Sequence, residues 1–439
     1  MNASSNSPRP SVSVVIPAYN NSRYLPQCVR SVAAQADEVI VVDDCSTDNT
    51  FAVAQSLAAE NPRVHPIRHD RNRGTLAARK TGVLASVGDW VLLVDQDDEL
   101  EPGTIDRLLD YVRDHPADIV HYGVRVDAAN EAAQQAAAGM TGFLNPTPRR
   151  LEGAEILRTQ FAQSGGFDWH IHHKMFRGDL LRRAYALAPD TRLLLSDDLF
   201  MSFIVDSLAS SYVAVPESSW YVYHLGRGDT FGAQLTVEAM DTMADRDAKA
   251  LRLIRRFAES CAAGHNDLAI ARDDWPARVA DVRDRLAEHT MNEWHDNLPA
   301  PLQEAGLQRI LTHFSPDPDA IAAELWRYVR DHAYALLVAQ REGRGDSPAA
   351  AHDRTEAQRF RDMALRIEAK HPELAERSDP AGRPANAHYH DLRAVAMGHL
   401  KDTGMIGEPA GDQATEPDQA TQPPQPSGLR ALIARLLGR

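Results

Sequence analysis

The apolar positions in the first half of the chain form short continuous runs, separated by stretches with helical spacing. Four such runs are VSVVIP (12–17), EVIVVDD (38–44), WVLLVDQDD (90–98) and DIVHYGVRV (118–126). Strands that are apolar along their whole length are buried on both faces, and strands that alternate with helices form parallel sheets. The pattern over residues 11–232 therefore predicts an α/β domain with helices on both faces of a parallel sheet.

Two connecting helices are predicted from spacing and capping residues. One begins near Ser22 and leads from the first strand to the second. The other opens at Thr47 or Asp48, which are residue types that cap helix N-termini, and leads away from the second strand. This order of elements predicts α/β winding.

The rest of the chain divides by composition. Residues 233–402 carry long amphipathic, charged stretches and few β-branched runs, which predicts a helical domain. Residues 403–427 are rich in Pro, Gln, Thr and Ala and contain the imperfect repeat DQATEP/DQATQP, a composition typical of a disordered linker. We also expect residues 1–10 to be disordered.

The last segment, 428–439, predicts a short amphipathic helix. Five apolar residues fall on one face, and three arginines surround them: Leu429, Leu432, Ile433, Leu436 and Leu437, with Arg430, Arg435 and Arg439. The segment is too short to cross a bilayer. Two interpretations stay open at this point: contact with an anionic membrane surface or a partner protein, and packing against the chain's own helical domain.

Charge and cysteine content narrow the class of protein. Aspartate and glutamate outnumber lysine and arginine 62 to 47, and the net charge of −15 argues against unspecific nucleic-acid binding. The three cysteines lack metal-ligand spacing and suit reduced thiols. The start lacks an apolar signal region, and no run of 18 apolar residues occurs. These features predict a cytoplasmic protein, with the segment 428–439 able to lie at the inner membrane face.

Three predicted strands end in polar groups that we expect at one edge of the sheet. These are Pro17-Ala18-Tyr19-Asn20, Asp43-Asp44 and Asp95-Gln96-Asp97-Asp98. Ligands of open α/β sheets bind beyond the carboxyl ends of the strands. An aromatic ring and carboxylates suit a nucleotide, while the denser acidic cluster suits Mg²⁺ or Mn²⁺ bound together with phosphates. No GxxxxGK[ST] or GxGxxG motif follows the first strand, so phosphate must be held by metal and arginine.

The stretches SVVIPAYN, VVDDCSTDNT, NRGTLAARKTG, LLVDQDDEL and SDDLF resemble the successive motifs of the family 2 glycosyltransferases. The resemblance covers roughly residues 11 to 225. It implies a GT-A fold, a Rossmann-like nucleotide-diphospho-sugar transferase domain, here followed by the α-helical C-terminal domain. It also implies an inverting transfer of a sugar from a nucleotide-diphosphate sugar to an acceptor hydroxyl, with Mg²⁺ or Mn²⁺, in polysaccharide or glycoconjugate synthesis.

The resemblance also implies roles for individual residues. Pro17 and Tyr19 flank the nucleotide base, Asp44 binds it, and Arg79 is the arginine of the family's ARN segment. In the DXD segment, Asp97 meets the ribose or the metal, Asp98 ligates the metal, and Asp95 shares the acidic edge. Asp198 stands at the position of the catalytic base.

The chemistry of these residue types supports the same assignment. A carboxylate that takes the acceptor proton contributes roughly 10²–10⁴-fold in rate, and a metal neutralises charge on the leaving diphosphate. If the turn at Asp197-Asp198 is partly buried, one of the two carboxyl groups has a raised pKa, which suits a general base. Asp197 replaces the family's glutamate, which leaves open which of the two is the base. Taken alone, Asp97-Asp98 is more often a solvated strand-to-helix turn. Asp43-Asp44 is also explained as a helix cap, and for Asp197-Asp198 a helix cap is the commoner explanation without the resemblance.

The segment FDWHIHHKMF, 167–176, is the acceptor-side candidate. Trp169 and Lys174 resemble a tryptophan and a lysine that the family carries before its second acidic motif, and Trp169 is equally explained as a core residue. His224 is a further candidate, as a contact to the diphosphate, the metal or the acceptor. Three histidines, His170, His172 and His173, invite a zinc interpretation. We discount it, because no second ligand cluster has the right spacing and neighbouring strand positions point to opposite faces.

Two alternatives from other classes stay open on the sequence. One is a sugar nucleotidyltransferase on the same type of sheet. The other is a catalytically silent binding or scaffold protein, which Asp197 and Cys45 favour because both depart from the family's motifs. Glycine is usual at the position of Cys45, and a side chain there constrains the turn.

Overall fold

A computed structural model of the chain describes residues 8–161, 169–193, 196–215, 218–227, 235–262, 275–375 and 386–406. Among these residues the chain forms two compact units. The first holds the described residues up to 227 together with 249–262 and 275–281, and the second holds 235–248 together with 282–406. The predicted helix at 428–439, the linker from 407 onward and residues 1–7 lie outside the described residues.

The first unit is built around two sheets. The strands are β1 (Val12–Ala18), β2 (Glu38–Asp43), β3 (Val64–Arg68), β4 (Trp90–Leu93), β5 (Glu99–Leu100), β6 (Ile119–His121), β7 (Val124–Ala128), β8 (Arg150–Glu152), β9 (Lys174–Arg177), β10 (Ser211–Ala214) and β11 (Tyr221–Leu225). The larger sheet has the order β3-β2-β1-β4-β9-β6-β10-β8, and the smaller has β5-β11-β7. This architecture confirms the predicted α/β fold class.

The central strands of the larger sheet are parallel, as predicted. β1 pairs in parallel with both β2 and β4, and β2 with β3, so the carboxyl ends of these four strands share one edge. All seven residues of β1 are buried, as expected for a strand covered on both faces. The sheet also contains two antiparallel strands that were not predicted: β9 lies antiparallel between β4 and β6, and β8 is antiparallel to β10.

The run 118–126 was predicted as one strand and is two. β6 belongs to the larger sheet and β7 to the smaller, and the chain steps between them at Gly123. A Cβ atom at Gly123 would lie 1.9 Å from the carbonyl oxygen of Ser218, so only glycine fits this step. In the smaller sheet β11 pairs antiparallel with β5. That pairing brings β11 beside the residues that directly follow the acidic turn at 95–98.

Eight helices alternate with these strands along the described chain. They are α1 (Leu25–Ala33), α2 (Thr50–Glu60), α3 (Thr75–Ala85), α4 (Thr104–Asp114), α5 (Glu131–Leu144), α6 (Ala154–Gln160), α7 (Gly178–Leu187) and α8 (Asp197–Leu208). α1 and α2 each begin about three residues after the predicted start. Asp48 explains the second offset, because its Oδ1 accepts a hydrogen bond from Thr50 N at 2.9 Å. α3 lies close against the sheet, since a Cβ at Gly82 would meet Val15 Cγ1 at 2.4 Å.

The second unit is helical. Its helices are α9 (Val237–Ala262, which continues into the first unit), α10 (Trp275–Asn297, which begins in the first unit), α11 (Gln303–His313), α12 (Pro318–Arg341), α13 (Pro348–Lys370) and α14 (Ala387–Asp402). A core separate from that of the sheet unit surrounds the buried side chains of Trp294, Trp326 and Phe360. The predicted α-helical C-terminal part is confirmed.

No helix in the described part of the chain combines the length and the apolar character needed to span a bilayer.

Candidate functional site

The predicted polar edge of the sheet exists, and the loops after β1 and β4 are joined there. Gln96 makes reciprocal hydrogen bonds with the backbone of Tyr19: Tyr19 N donates to Oε1 at 2.8 Å, and Nε2 donates to Tyr19 O at 3.2 Å. Tyr19 is 43% exposed, whereas Pro17 is buried in β1. The tyrosine therefore presents a ring to solvent from a fixed backbone.

Asp44, the predicted base contact, shapes the loop after β3. Its carboxylate accepts hydrogen bonds from Gly74 N at 2.6 Å and from Arg73 N at 2.9 and 3.0 Å, and it contacts His69 Nδ1 at 2.7 Å. Asp44 is only 3% exposed. It thus fixes the backbone immediately before α3, where Gly74 has a φ of +88°.

Cys45 occupies the left-handed backbone region, with a φ of +62°. This is the region that glycine tolerates at no steric cost and other residues rarely adopt. This positive φ agrees with the prediction that a side chain at position 45 constrains the turn. The thiol is partly exposed, and its Sγ lies 3.6 Å from Asp70 O.

Asp98 is buried and anchored by β11. Its Oδ2 accepts a hydrogen bond from Tyr221 Oη at 2.8 Å, and its Oδ1 accepts one from His224 N at 2.8 Å. Burial raises the pKa of Asp98 well above its usual range, and the neighbouring Asp97 and Asp95 carboxylates raise it further. At 2% exposure the side chain faces the protein, so it ties the acidic turn to the smaller sheet.

The other two aspartates of the turn are more accessible. Asp97 is intermediate in burial, and its carbonyl oxygen lies 3.4 Å from Arg227 Nη1. The Asp95 side chain is 30% exposed and pairs with Arg79 Nη2 at 2.7 Å. Burial acts to raise the pKa of Asp95, whereas Arg79, with smaller contributions from His172 and His170, acts to lower it, and the net shift is downward. Asp95 is therefore held in its ionised form.

Arg79 lies at the centre of the acidic groups. From α3 its Nη1 donates to Asp197 Oδ2 at 2.9 Å and also contacts Asp198 Oδ1, while its Nη2 reaches Asp95. The Arg79 side chain is 4% exposed. Burial acts to lower its pKa, and the three carboxylates raise it by more, so the guanidinium stays charged.

Asp197 and Asp198 form the first turn of α8 and differ in access. The Asp197 side chain is 2% exposed and that of Asp198 is 17% exposed. Burial raises the pKa of Asp197 against the opposing effect of Arg79, and Asp198 and Asp95 add to the rise. The sequence prediction that one carboxyl group of this turn has a raised pKa is thus met by Asp197, the inner residue.

The acceptor-side segment packs beside this group. Ile171 N lies 3.5 Å from Asp198 Oδ2. Trp169 is partly buried, and the buried Lys174 donates from Nζ to the carbonyl oxygen of His170 at 2.5 Å. His224 Nε2 lies 2.6 Å from Glu99 Oε1. Lys174 and His224 therefore brace the loops of the site from within.

The argument that the three histidines point to opposite faces was wrong. Residues 169–173 form no strand, and His173 has a φ of +46°. The ring centroids of His170 and His172 are 5.2 Å apart, and those of His172 and His173 are 4.5 Å apart. His172 also stacks on Tyr221 and Tyr223 of β11. Burial lowers its pKa to about 4, with His170 adding to the fall, so the imidazole is neutral near pH 7.

Sequence reasoning missed Tyr221 and Gln96 as site residues. Tyr221 Oη bonds Asp98 and also lies 3.3 Å from Asp95 N, 126 positions earlier in the chain. A contact between two sheets over that separation leaves no local signal. Gln96 stands within a recognised motif, but its partner is the backbone of a different loop.

The carboxylates at the acidic turn bear on the predicted Mg²⁺ or Mn²⁺ site. In the described ranges, no three His, Cys, Asp or Glu side chains are grouped so that they could hold an ion by themselves. Mg²⁺ and Mn²⁺ bound together with substrate phosphates require only one or two carboxylates from the protein. The turn at 95–98 fits that second type of site.

Comparison with known proteins supports the architecture. The sequence profile described as "Glycosyl transferase family 2" matches residues 13–184. An uncharacterized glycosyltransferase of Haemophilus influenzae is 31% identical over 255 residues, which is 56% of this chain and 80% of the relative. The succinoglycan biosynthesis protein ExoO of Rhizobium meliloti is 28% identical over 257 residues, 55% of this chain and 68% of that protein.

A solved structure shares the fold. The crystal structure of S. aureus TarS 1-349 superposes with a TM-score of 0.50 at 17% identity, covering 80% of this chain and 91% of that one. At that identity the likeness supports the fold alone. With the sequence matches, the sheet and its acidic edge define the protein as a glycosyltransferase. The chain belongs to glycosyl transferase family 2.

Proposed function

We propose that the protein transfers a sugar from a nucleotide-diphosphate sugar to an acceptor hydroxyl, with inversion at the anomeric carbon. The observation that carries this proposal is the meeting of three groups of different chemistry on one side of the sheet: the exposed ring of Tyr19, the acidic turn at 95–98, and the carboxyl pair at the start of α8. Stacking, diphosphate binding and proton removal each need one of them.

On the donor side, the ring of Tyr19 stacks on the nucleotide base. Its backbone is held by Gln96, so the loop that carries the ring is already in place before the base binds. Pro17 is buried in β1, two residues earlier. Asp44 acts by holding the 69–74 loop in place, since its oxygens already accept hydrogen bonds from the backbone of Arg73 and Gly74.

Mg²⁺ or Mn²⁺ would be held at the acidic turn, with Asp97 as the principal protein ligand in place of Asp98, the ligand expected from the sequence. Asp97 is more accessible than Asp98, whose two oxygens accept hydrogen bonds from Tyr221 and His224 N. Asp98 thus keeps the turn in shape for Asp97, and Asp95 adds negative charge nearby. When bound, the ion neutralises charge on the leaving diphosphate. Arg227, which lies at the carbonyl oxygen of Asp97, is placed to add a second positive charge.

Asp198 is the general base. It removes the proton from the acceptor hydroxyl, the oxygen attacks the anomeric carbon, and the bond from that carbon to the diphosphate breaks. Attack from the face opposite the leaving group inverts the configuration. Asp198 is the more exposed member of the pair and the one an acceptor hydroxyl can reach, whereas the buried Asp197 suits a supporting role.

The acceptor is bound by the segment 169–174, whose backbone reaches Asp198. Trp169 offers an aromatic face for a sugar ring, while Lys174 and His224 keep the surrounding loops in place. ExoO is named for succinoglycan biosynthesis, and this relative supports an acceptor that belongs to a growing polysaccharide or glycoconjugate.

The test is a donor panel. The purified chain is incubated with UDP-, GDP-, TDP- and CMP-sugars, Mn²⁺ and a mixture of oligosaccharide acceptors, and released nucleotide is measured. We expect release from one donor class, loss of release with EDTA, and recovery with added Mn²⁺. Absence of release from every donor would overturn the proposal, and pyrophosphate release from a nucleoside triphosphate plus a sugar 1-phosphate would replace it with nucleotidyl transfer.

A further inference from the structure

Arg79 connects the two halves of the site. Its guanidinium contacts Asp95 at the end of β4 and both Asp197 and Asp198 at the start of α8. The residues it joins are more than 100 positions apart in sequence, with separations of 118 and 119 from Arg79 to the α8 pair. One side chain therefore spans the donor side and the proposed base.

The local structure fixes Arg79 in that orientation. Asp44 accepts a hydrogen bond from Gly74 N immediately before α3. Gly82 has no side chain, so the same helix lies directly against Val15 of β1. The arginine lies between these two anchor points and is buried. Both of its Nη atoms donate hydrogen bonds to carboxylates of the protein itself, so the two ends of the guanidinium already have partners.

Charge explains why an arginine is needed here. Three carboxylates held this close together repel one another and resist ionising together. A guanidinium is a rigid planar fork that can bond in two directions, whereas an ammonium group is a point charge on a flexible stem. Only the fork can hold Asp95 with one Nη and the α8 pair with the other.

We propose that Arg79 is a positioning residue, which holds the base Asp198 at a fixed distance from the acidic donor turn, and that it is not a phosphate ligand. This inference rests on the proposed function, because it assigns a purpose to the separation between donor and base. Reacting groups must be held closely, and a misplacement of about 1 Å can cost on the order of 10²-fold in rate.

The test is Arg79→Lys, which keeps the charge and removes the fork. With the nucleotide sugar that the wild type uses, we expect kcat to fall on the order of 10²-fold while the donor Kd, measured by calorimetry with Mn²⁺, stays unchanged. The matched control is Arg182→Lys in α7, where the guanidinium donates to the carbonyl oxygens of Ser86 and Gly88. We expect this control to leave both quantities unchanged.

Two results would overturn the inference. A raised donor Kd with an unchanged kcat at saturating donor would make Arg79 a phosphate ligand, and an unchanged kcat and Kd would give it no role in catalysis. If the wild type uses no nucleotide sugar, the proposed function fails, and a double-mutant cycle of Arg79→Met and Asp197→Asn on the urea midpoint still tests the ion pair. Additive shifts of the urea midpoint in that cycle would mean that Arg79 and Asp197 do not interact, which would contradict the inference.

Discussion

At the scale of single residues, Cys45 has a backbone conformation that is unfavourable for its side chain. Its φ of +62° is a conformation that a Cβ makes unfavourable. We expect Cys45→Gly to stabilise the protein by about 1 kcal/mol, a value already reduced by the greater chain entropy of unfolded glycine. Urea unfolding measures the change.

The matched control is Cys45→Ala, which removes the thiol and keeps the Cβ. Because the strain arises from the Cβ, the alanine variant should show no gain in stability. An equal gain in both variants would mean that the thiol near Asp70 O, and not the backbone, was the unfavourable feature.

The site residues differ in how far the sequence predicts them. Tyr19, the aspartates at 95–98 and the pair 197–198 follow strands or open a helix, so their place at the sheet edge could be predicted from the order of elements. Their division of work could not, since it depends on burial: Asp98 faces β11, whereas Asp97 is more accessible. The partners of Arg79 likewise depend on how α3 packs.

At the scale of elements, the pairing of β11 with β5 fixes the acidic turn. Tyr221 of β11 donates to Asp98 Oδ2, and its oxygen lies near Asp95 N. Tyr221→Phe would leave a buried carboxylate oxygen without this donor, which costs about 1–3 kcal/mol. We expect a lower urea midpoint in this variant.

Tyr223→Phe is the control for that change, on the same strand and with a ring that also stacks on His172. We expect only a small effect on stability. If the two substitutions cost the same, the hydroxyl of Tyr221 would have no special part in holding the turn.

The elements themselves were predictable where the pattern was local. The long apolar runs gave β1 and β2 to within one residue of their bounds, and gave the start of β4 but not its end. The split of 118–126 into β6 and β7 depends on Gly123 meeting the backbone of Ser218, 95 residues later. The antiparallel strand β9 was missed for a similar reason, since its partners β4 and β6 lie far away in sequence.

At the scale of the whole molecule, the described chain has separate hydrophobic cores in its two units. The core of the sheet unit contains the buried residues of β1 and β4, and the core of the helical unit contains Trp294, Trp326 and Phe360. The change from continuous apolar runs to amphipathic spacing predicted this difference. All of the proposed donor, metal and base residues belong to the sheet unit, so we expect the transfer chemistry to take place there.

The most direct test of that chemistry is Asp198→Asn, with donor binding and transfer measured on the same preparation. The account predicts an unchanged donor Kd in the presence of Mn²⁺ and a loss of sugar transfer on the order of 10²–10⁴-fold, as expected for removal of a general base. Transfer at the wild-type rate would contradict it, and so would a loss of donor binding that accounts for the whole defect.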